Sequence, residues 1–550
     1  MPGTTPYNDF AQLLDDEPAI ADANPVGCYT CHEPHTAASG DLTRLKTSVL
    51  AGDTQSGEFN TCTACHQLNA ADGTVLQYAY HDPKVNPEGS RDEIITDNHA
   101  AVPGDLRANC AARDASSKCT AAGDFLYFVK KGDPNSCALC HNPHQADPAI
   151  NRQYAASGHG DATAEPWIHY DWKLSSRASC QRCHTATGFK NYADSLINTT
   201  VYNPALNDFS YLCGGAPCGA VTALSRNESL YCWACHTDSK GGLRNPGAFN
   251  ISALEGANYV TMSNGPITFP DESGSNVCIL CHAGRVSGGA IANAVANFSN
   301  LSFKNSHYLA AAGILFKTIG YEYSGLDYSN VAYYEHDLIG SAAAPPATGA
   351  FGPCAGCHML NNTAAGVGAN KTAHFFSPVT AEGDTITGIA TSTCAACHSG
   401  EYQMTVAKLT EEEEGYEAAL DALQDQAALR NFWWAGCNPY IFKTKADADA
   451  CNSANAQKNW LSAGDADTTG NTTGKKNMGA AYNLNMLKHE PGAFTHNRIY
   501  TRRLIYDSID WLDNNLIDDS TPATLNALDP ATHPYKQKAV EYLLESGGRP

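Results

Sequence analysis

The sequence predicts a mostly irregular backbone with short α-helices, little β-structure and a more helical C-terminal region. The 550 residues include 46 glycines and 27 prolines, which interrupt regular elements along the chain. Cysteine is unusually frequent, with 22 residues, and most of these cysteines lie in one recurring short motif. A sustained helical pattern appears only after about residue 402. The chain is therefore expected to be organised around many small motif-centred elements and to end in a helical region.

Charge and hydropathy argue against a nucleic-acid ligand and against a membrane-spanning segment. The chain carries 35 basic and 57 acidic residues, a formal charge of −22, so a phosphate backbone would be repelled and nucleic acid is not an expected ligand. No run of 18 or more apolar residues occurs, so no transmembrane segment is predicted. The first residues have neither the basic nor the apolar segment of a signal peptide. We expect a mature chain from which an export leader has been removed, with an extracellular or cell-surface location.

The recurring motif is the pentapeptide C-x-x-C-H, which occurs eight times and uses 16 of the 22 cysteines. Chance would produce roughly 0.03 copies at this composition. The cysteines are Cys28, Cys31, Cys62, Cys65, Cys137, Cys140, Cys180, Cys183, Cys232, Cys235, Cys278, Cys281, Cys354, Cys357, Cys394 and Cys397. The histidines that follow them are His32, His66, His141, His184, His236, His282, His358 and His398.

This spacing fits covalent attachment of haem c. Two thiols two residues apart reach the two vinyl groups of one porphyrin, and the adjacent imidazole turns under the ring to bind iron. Zinc knuckles and redox cysteine pairs are the alternatives, but neither requires a histidine after every second cysteine. The sequence therefore predicts eight haem c groups, with the porphyrins forming much of the core.

The six remaining cysteines lie close together in sequence as three pairs. Cys110 with Cys119, Cys213 with Cys218, and Cys437 with Cys451 are predicted to form local disulfides, with free or metal-binding thiols as the alternative. Disulfides indicate an oxidising compartment, which agrees with haem attachment outside the cytoplasm.

A second axial ligand for each iron is available among the other histidines. Of the 20 histidines, eight follow motif cysteines and twelve remain. An iron with two imidazoles is saturated and passes electrons, whereas an iron with an open face can convert a substrate. In CYTCHEPH and CALCHNPH, His35 and His144 follow a motif histidine by three residues, so each is expected to cap a neighbouring haem.

At this point the sequence resembles the multihaem outer-surface c-type cytochromes of metal-respiring microbes, including those that form extracellular cytochrome filaments. The resemblance lies in the eight motifs, the C-H-x-P-H doublets, and the stretches SGHGD, CQRCHTATGFKNY, SHYLAAAGILF, EHDLIG with GPCAGCHM, and HEPGAFTHNRIYTRRLIYDSIDWL. In similar proteins the histidines of such stretches cap haems, which implies the distal ligands His99, His159, His307, His336, His374 and His496 beside His35 and His144. His81, His169, His489 and His533 are reserve candidates for distal ligands. His489 and His496 lie in one segment, so either of them could be the ligand there.

Two regions are predicted along the chain. Residues 1–402 contain every attachment motif and form an octahaem electron-transfer region, while residues 403–550 have none and are expected to contribute distal histidines. A helix is predicted over 410–430, starting with a capping box of Thr410 and Glu413 and burying Tyr416, Leu420, Leu423 and Ala427. Further helices are predicted over 498–513 and 536–545.

Together these patterns favour an electron carrier in anaerobic respiration over an enzyme. The expected function is extracellular electron transfer along a closely stacked row of eight haems, each with two histidine ligands. The resemblance further implies a head-to-tail homopolymer, a conductive filament, that passes electrons to outer-surface redox partners and to acceptors such as metal oxides. The alternatives are an octahaem reductase or oxidase acting on nitrite, hydroxylamine or tetrathionate through one open haem, and a soluble monomeric shuttle.

Overall fold

The protein packs as two units. Its computed structural model describes residues 67–69, 75–78, 110–113, 119–122, 150, 153–154, 157–160, 165–168, 170–210, 228–237, 241–329, 336–342, 349–359, 373–383 and 385–550. Unit 1 comprises residues 1–244 with 373–376, and unit 2 comprises residues 245–372 with 377–550. The boundary near residue 402 was predicted from haem attachment rather than from packing, and it stays a prediction.

Unit 1 contains two short hairpins followed by short helices. Strand β1 (Gln67–Asn69) pairs with β2 (Val75–Tyr78), and β3 (Cys110–Arg113) pairs with β4 (Cys119–Ala122), both antiparallel. The helices are α1 (Glu165–Ile168), α2 (Ala178–His184), α3 (Ala186–Ile197) and α4 (Cys232–Cys235). Thr185 caps α3 by accepting a hydrogen bond from Gly188 N, and the helix then buries Phe189 and Tyr192. Helix α3 packs against both α2 and α4, so it joins two motif helices.

The first half of unit 2 has the same character. Its strands form two small antiparallel pairs, β5 (Phe249–Asn250) with β6 (Thr268–Phe269) and β7 (Val379–Glu382) with β8 (Thr385–Ile389). Its helices are α5 (Ser252–Glu255), α6 (Asn276–His282), α7 (Gly288–Ala292), α8 (Ala311–Leu315), α9 (Gly352–His358) and α10 (Cys394–Cys397). All are shorter than ten residues, as the fold class predicts for the motif-bearing region.

The rest of unit 2 contains seven helices, three of which have 17 residues or more. They are α11 (Val406–Leu429), α12 (Lys445–Asp449), α13 (Thr472–Lys488), α14 (Ala493–His496), α15 (Arg498–Asn514), α16 (Thr521–Ala527) and α17 (Lys536–Leu544). Strands β9 (Trp433–Trp434) and β10 (Ile441–Phe442) pair antiparallel between α11 and α12. Helices α11, α13 and α15 pack on one another, and α17 packs along α11. The predicted helical C-terminal region is therefore confirmed.

The helix predicted over 410–430 begins earlier than expected. Helix α11 starts at Val406, because Thr405 supplies the cap by accepting a hydrogen bond from Lys408 N at 3.2 Å. Thr410 therefore lies inside the helix, and the predicted capping box is wrong. The predicted buried face is confirmed, since Tyr416, Leu420, Leu423 and Ala427 are each at most 2% exposed. The other two predicted helices end within one residue of α15 and α17.

Helix α13 is buried on almost every side and was not predicted from the sequence. Its sequence TTGKKNMGAAYNLNMLK has no polar face that would reveal a helical period. Close packing depends on small residues, since a Cβ on Gly479 would lie 2.3 Å from the Tyr321 ring. Its buried polar side chains are satisfied: Asn483 both accepts from Tyr321 N and donates to Tyr321 O, and Asn477 donates to Trp460 O.

One of the three predicted disulfides is present. Cys437 and Cys451 are bonded, which closes the loop that contains β10 and α12. The side chains of the other four cysteines, at 110, 119, 213 and 218, lie outside the described residues. Among the helices of the described ranges, none has the length and apolarity needed to cross a bilayer.

Candidate haem-binding sites

Each of the five haem motifs in the described residues forms a short helix. Helices α2, α4, α6, α9 and α10 end at the second cysteine or at the histidine of their motif. None of their ten cysteines is disulfide-bonded, which leaves the thiols for thioether bonds. Burial raises the pKa of the Cys235 and Cys357 thiols to about 12, so they are neutral in the protein. The motifs at 28–32, 62–66 and 137–141 lie outside the described residues, as do His35, His81, His99, His144 and His169.

The distance between ring centres indicates whether two imidazoles are placed to bind opposite faces of one iron. Metal–imidazole nitrogen bonds are about 2 Å long, so two imidazoles on opposite faces of one iron place their ring centres about 6 Å apart. The rings need not be parallel, because each turns freely about its own metal–nitrogen bond.

In unit 1 this spacing joins His236 and His374. Their ring centres are 6.0 Å apart with an interplanar angle of 34°. His374 is 8% exposed, and Gln153 holds its backbone by accepting a hydrogen bond from His374 N at 2.9 Å. Phe376 lies edge-on to the His374 ring at 5.7 Å. The segment 373–376 belongs to unit 1. It places His374, a predicted distal ligand, opposite His236, the motif histidine that follows α4.

In unit 2 the same spacing joins His358 and His496. Their ring centres are 6.1 Å apart with an interplanar angle of 34°. His358 ends the motif helix α9 and His496 ends the short helix α14. The structure therefore places His496, from the C-terminal region, opposite a motif histidine, and its ligation of iron stays a prediction.

A third pair, His398 and His336, has ring centres 6.3 Å apart and an interplanar angle of 74°. Nδ1 of His336 lies 2.5 Å from the backbone oxygen of Thr495, which orients the ring and leaves Nε2 for a metal. Thr495 directly precedes His496. One short segment thus positions the histidines of two adjacent pairs.

The two remaining described motif histidines are also oriented through Nδ1. His184 Nδ1 lies 3.0 Å from the oxygen of Pro166, and His282 Nδ1 lies 3.0 Å from the oxygen of Leu309. Trp172 stacks on the His184 ring at 4.2 Å. These contacts again leave Nε2 for the iron, the arrangement that haem ligation requires.

Two further candidate histidines, His159 and His307, lie in the described residues. His159 packs against Phe376 at 4.8 Å. His307 has a φ of 76° and borders a cavity of about 330 Å³ that Arg285 and Glu255 also line. Distal ligation by these two histidines stays a prediction.

The two described reserve histidines differ in setting. His489 lies among Tyr308 and Tyr440, with its Nδ1 2.8 Å from the oxygen of Asn485. His533 lies 3.5 Å from an Asp425 carboxylate oxygen near the surface. Of the two histidines in the 489–496 segment, His496 lies opposite a described motif histidine, and the assignment of either one as a ligand stays a prediction.

The surroundings of the pairs fit a planar apolar group. Large apolar side chains next to motifs or candidate ligands are about half exposed, namely Phe351, Phe375, Tyr308 and Leu309. A porphyrin beside the histidines would cover such side chains. In the part of the chain that the structure describes, no group of three or more His, Cys, Asp or Glu side chains converges.

Successive motifs are in direct contact within each unit. In unit 2 the Ser275 hydroxyl, at the start of α6, donates to Phe351 O at 2.6 Å and accepts from Ala355 N at 3.0 Å. Thr393, at the start of α10, donates to Gly356 O. In unit 1 Glu228, just before α4, accepts from both the amide and the hydroxyl of Thr187, just after α2.

Comparison with known proteins gives a consistent result. A family model described as C-type polyheme cytochrome domain 2 matches residues 25–244, a range that ends with the first segment of unit 1. The C-type polyheme cytochrome OmcB of Geobacter sulfurreducens is 34% identical to the chain, covering 94% of this chain and 74% of the relative. The C-type polyheme cytochrome OmcC of the same organism is 33% identical, covering 92% and 74%. No solved structure matches the chain.

Proposed function

Since the chain belongs to the C-type polyheme cytochromes, which are multihaem electron-transfer proteins, we propose that it carries electrons through eight haem c groups, each held by two histidines. The observation that supports this proposal most strongly is the spacing of the three histidine pairs, 6.0, 6.1 and 6.3 Å between ring centres. The motif cysteines attach each haem, and the paired imidazoles occupy both faces of its iron. When bound, each haem supplies a one-electron iron(III)/iron(II) couple.

The chain's own groups prepare the histidines for this role. Backbone oxygens of Pro166, Leu309 and Thr495 hold Nδ1 of three imidazoles, so that little reorientation accompanies a change of iron charge. Saturation of both iron faces excludes water and substrates from the metal. These features suit repeated electron transfer rather than chemistry on a bound molecule.

Close packing of the motifs supports transfer from haem to haem. The hydrogen bonds of Ser275 and Thr393 join α6 to α9 and α9 to α10, so three consecutive attachment sites are neighbours. We propose that the three haems follow one another in the order of their motifs, and that the same stacking continues through all eight.

The proposed setting is extracellular, on the cell surface. The acidic charge of −22 favours solubility and basic redox partners, and extracellular acceptors such as metal oxides are the proposed final destination. In its strongest form the proposal adds that copies join head to tail into a conductive filament. Its support is the resemblance to filament-forming cytochromes, and a head-to-tail contact that does not close gives an open polymer.

The experiment uses the natively exported protein. Intact mass and the pyridine haemochrome spectrum should give eight haems per chain, and near-infrared magnetic circular dichroism should show only bis-histidine charge-transfer bands. A high-spin haem together with turnover of nitrite, hydroxylamine or tetrathionate would favour the octahaem reductase or oxidase instead. Electron microscopy of the same sample distinguishes a filament from a monomeric shuttle.

A further inference from the structure

Glu490 is a buried carboxylate beside a predicted haem ligand. Its side chain lies in the turn between α13 and α14, and the residue is 2% exposed. Its Oε1 is 3.1 Å from Nδ1 of His496. Its Oε2 is buried and has no hydrogen-bond partner within the described residues. The buried carboxylate therefore lies directly beside the imidazole that faces His358.

This environment differs from that of the other oriented histidines. His184, His282 and His336 direct Nδ1 at neutral backbone oxygens, those of Pro166, Leu309 and Thr495. Only His496, among these four, has a carboxylate in that position. A negative charge next to an imidazole makes it a more basic ligand.

The backbone around Glu490 fixes the contact. The Tyr416 hydroxyl donates to Glu490 O at 3.1 Å, and Ala493 N donates to the same oxygen at 3.1 Å. A Cβ on Gly492 would lie 2.9 Å from Cε1 of His496 and 3.5 Å from Oε1 of Glu490. Gly492 has an ordinary φ of −86°, so glycine is needed here for space rather than for backbone conformation. The imidazole and the carboxylate are thus held together on one side of α14.

We infer that Glu490 is a positioning residue that lowers the reduction potential of the haem at His358 and His496. The inference rests on the proposed function. Reduction adds one electron from a neighbouring haem and takes iron(III) to iron(II), with no bond made or broken. The site loses one positive charge while the buried carboxylate keeps its negative charge. Because such charges are poorly screened in a protein interior, Glu490 opposes the reduction.

Glu490 thus acts on the central one of three neighbouring attachment sites. The contacts made by Ser275 and Thr393 set the motif of α9 between those of α6 and α10. A lower potential at this site makes an added electron less stable there, without any contact between Glu490 and the iron.

The test is the Glu490→Gln variant of the full-length, haem-loaded protein, titrated by spectroelectrochemistry. Glutamine keeps the size and the acceptor oxygen but removes the charge. We expect the reduction equilibrium of one haem to shift at least tenfold toward iron(II), which is 59 mV for one electron. The matched control is Glu322→Gln, which neutralises a carboxylate that accepts from the Tyr500 hydroxyl at 3.0 Å. Its titration curve should coincide with that of the unmodified protein.

A second variant, Glu490→Asp, tests the same inference if Glu490→Gln accumulates poorly. Glu490→Asp keeps the charge but draws it away from Nδ1, so the potential of one haem should rise by a smaller amount in the same direction. Either variant with all haems low-spin and an unchanged titration curve would overturn the inference while leaving the proposed function intact. Failure of the proposed function has a different signature, since the unmodified protein would then lack a low-spin signal from each haem.

Discussion

Replacement of His374 by alanine should open one iron and leave the others saturated. The His236 and His374 ring centres are 6.0 Å apart, so deletion of one imidazole removes the only group that this geometry places on that iron face. A haem with one imidazole becomes high-spin or binds water. We therefore expect about one-eighth of the low-spin signal to be lost, since the sequence contains eight motifs.

The three pairs make this effect additive. His374, His496 and His336 face different motif histidines, so each alanine variant should convert one haem and each double variant two. His533→Ala is the matched control, because this histidine lies near Asp425 rather than opposite a motif histidine. It should convert none.

Electron paramagnetic resonance of the oxidised variants measures the conversion, with total haem counted in the same samples. Exogenous imidazole should restore the low-spin signal of His374→Ala by binding the opened iron. Retention of the full low-spin signal in His374→Ala or His496→Ala, with all haems still attached, would refute the pairing. Double variants that convert only one haem would show that two of these histidines serve the same iron.

Three further predictions concern stability and local packing. Burial raises the pKa of Glu322 from an ordinary value of 4.5 to about 6, so its contribution to stability is complete below pH 4.5 and is lost as pH rises through 6. Glu322→Gln should remove about 2 kcal/mol of this pH dependence, measured by urea unfolding between pH 4 and 8. Replacement of Cys437 and Cys451 by serine should lower the free energy of unfolding by about 3 kcal/mol, because their disulfide closes a loop with a sequence separation of 14. Gly492→Ala should displace the His496 ring and raise the high-spin fraction of one haem, read by magnetic resonance.

A matched control sharpens the last of these tests. Gly548→Ala adds a methyl group where no atom lies within 4 Å and should leave the haem spectra unchanged. An unaltered pH profile in Glu322→Gln, an equal stability without the disulfide, or an unperturbed spectrum in Gly492→Ala would each contradict its prediction.

The haem-attachment motifs can be recognised in the sequence because covalent chemistry fixes the spacing of their cysteines and histidine. Two thiols and an imidazole must reach one porphyrin within five residues, so the motif around Cys354 is readable without a structure, and it forms the expected short helix α9. Helix α15 can be predicted from the sequence for a similar reason, because its apolar residues recur with a helical period. Both depend only on residues that are near one another in sequence.

The pairing of ligands could not be read from the sequence. His236 and His374 meet only because a four-residue segment packs with unit 1, and no periodicity connects them. His489 and His496 are seven residues apart, and either one could have reached a motif. In the structure His496 lies opposite His358, whereas His489 packs against Tyr308. Helix α13 escaped prediction because burial on all sides leaves it without a polar face.

The most direct test of the central claim is an electron cryomicroscopy map of the haem-loaded protein at a resolution that shows axial ligands. We expect continuous density from imidazole through iron to imidazole at three sites, joining His236 to His374, His358 to His496, and His398 to His336. We also expect the haems of α6, α9 and α10 to be consecutive neighbours. A map in which one of these motif histidines faces water, a vacant site or another residue would contradict the proposed pairing of ligands.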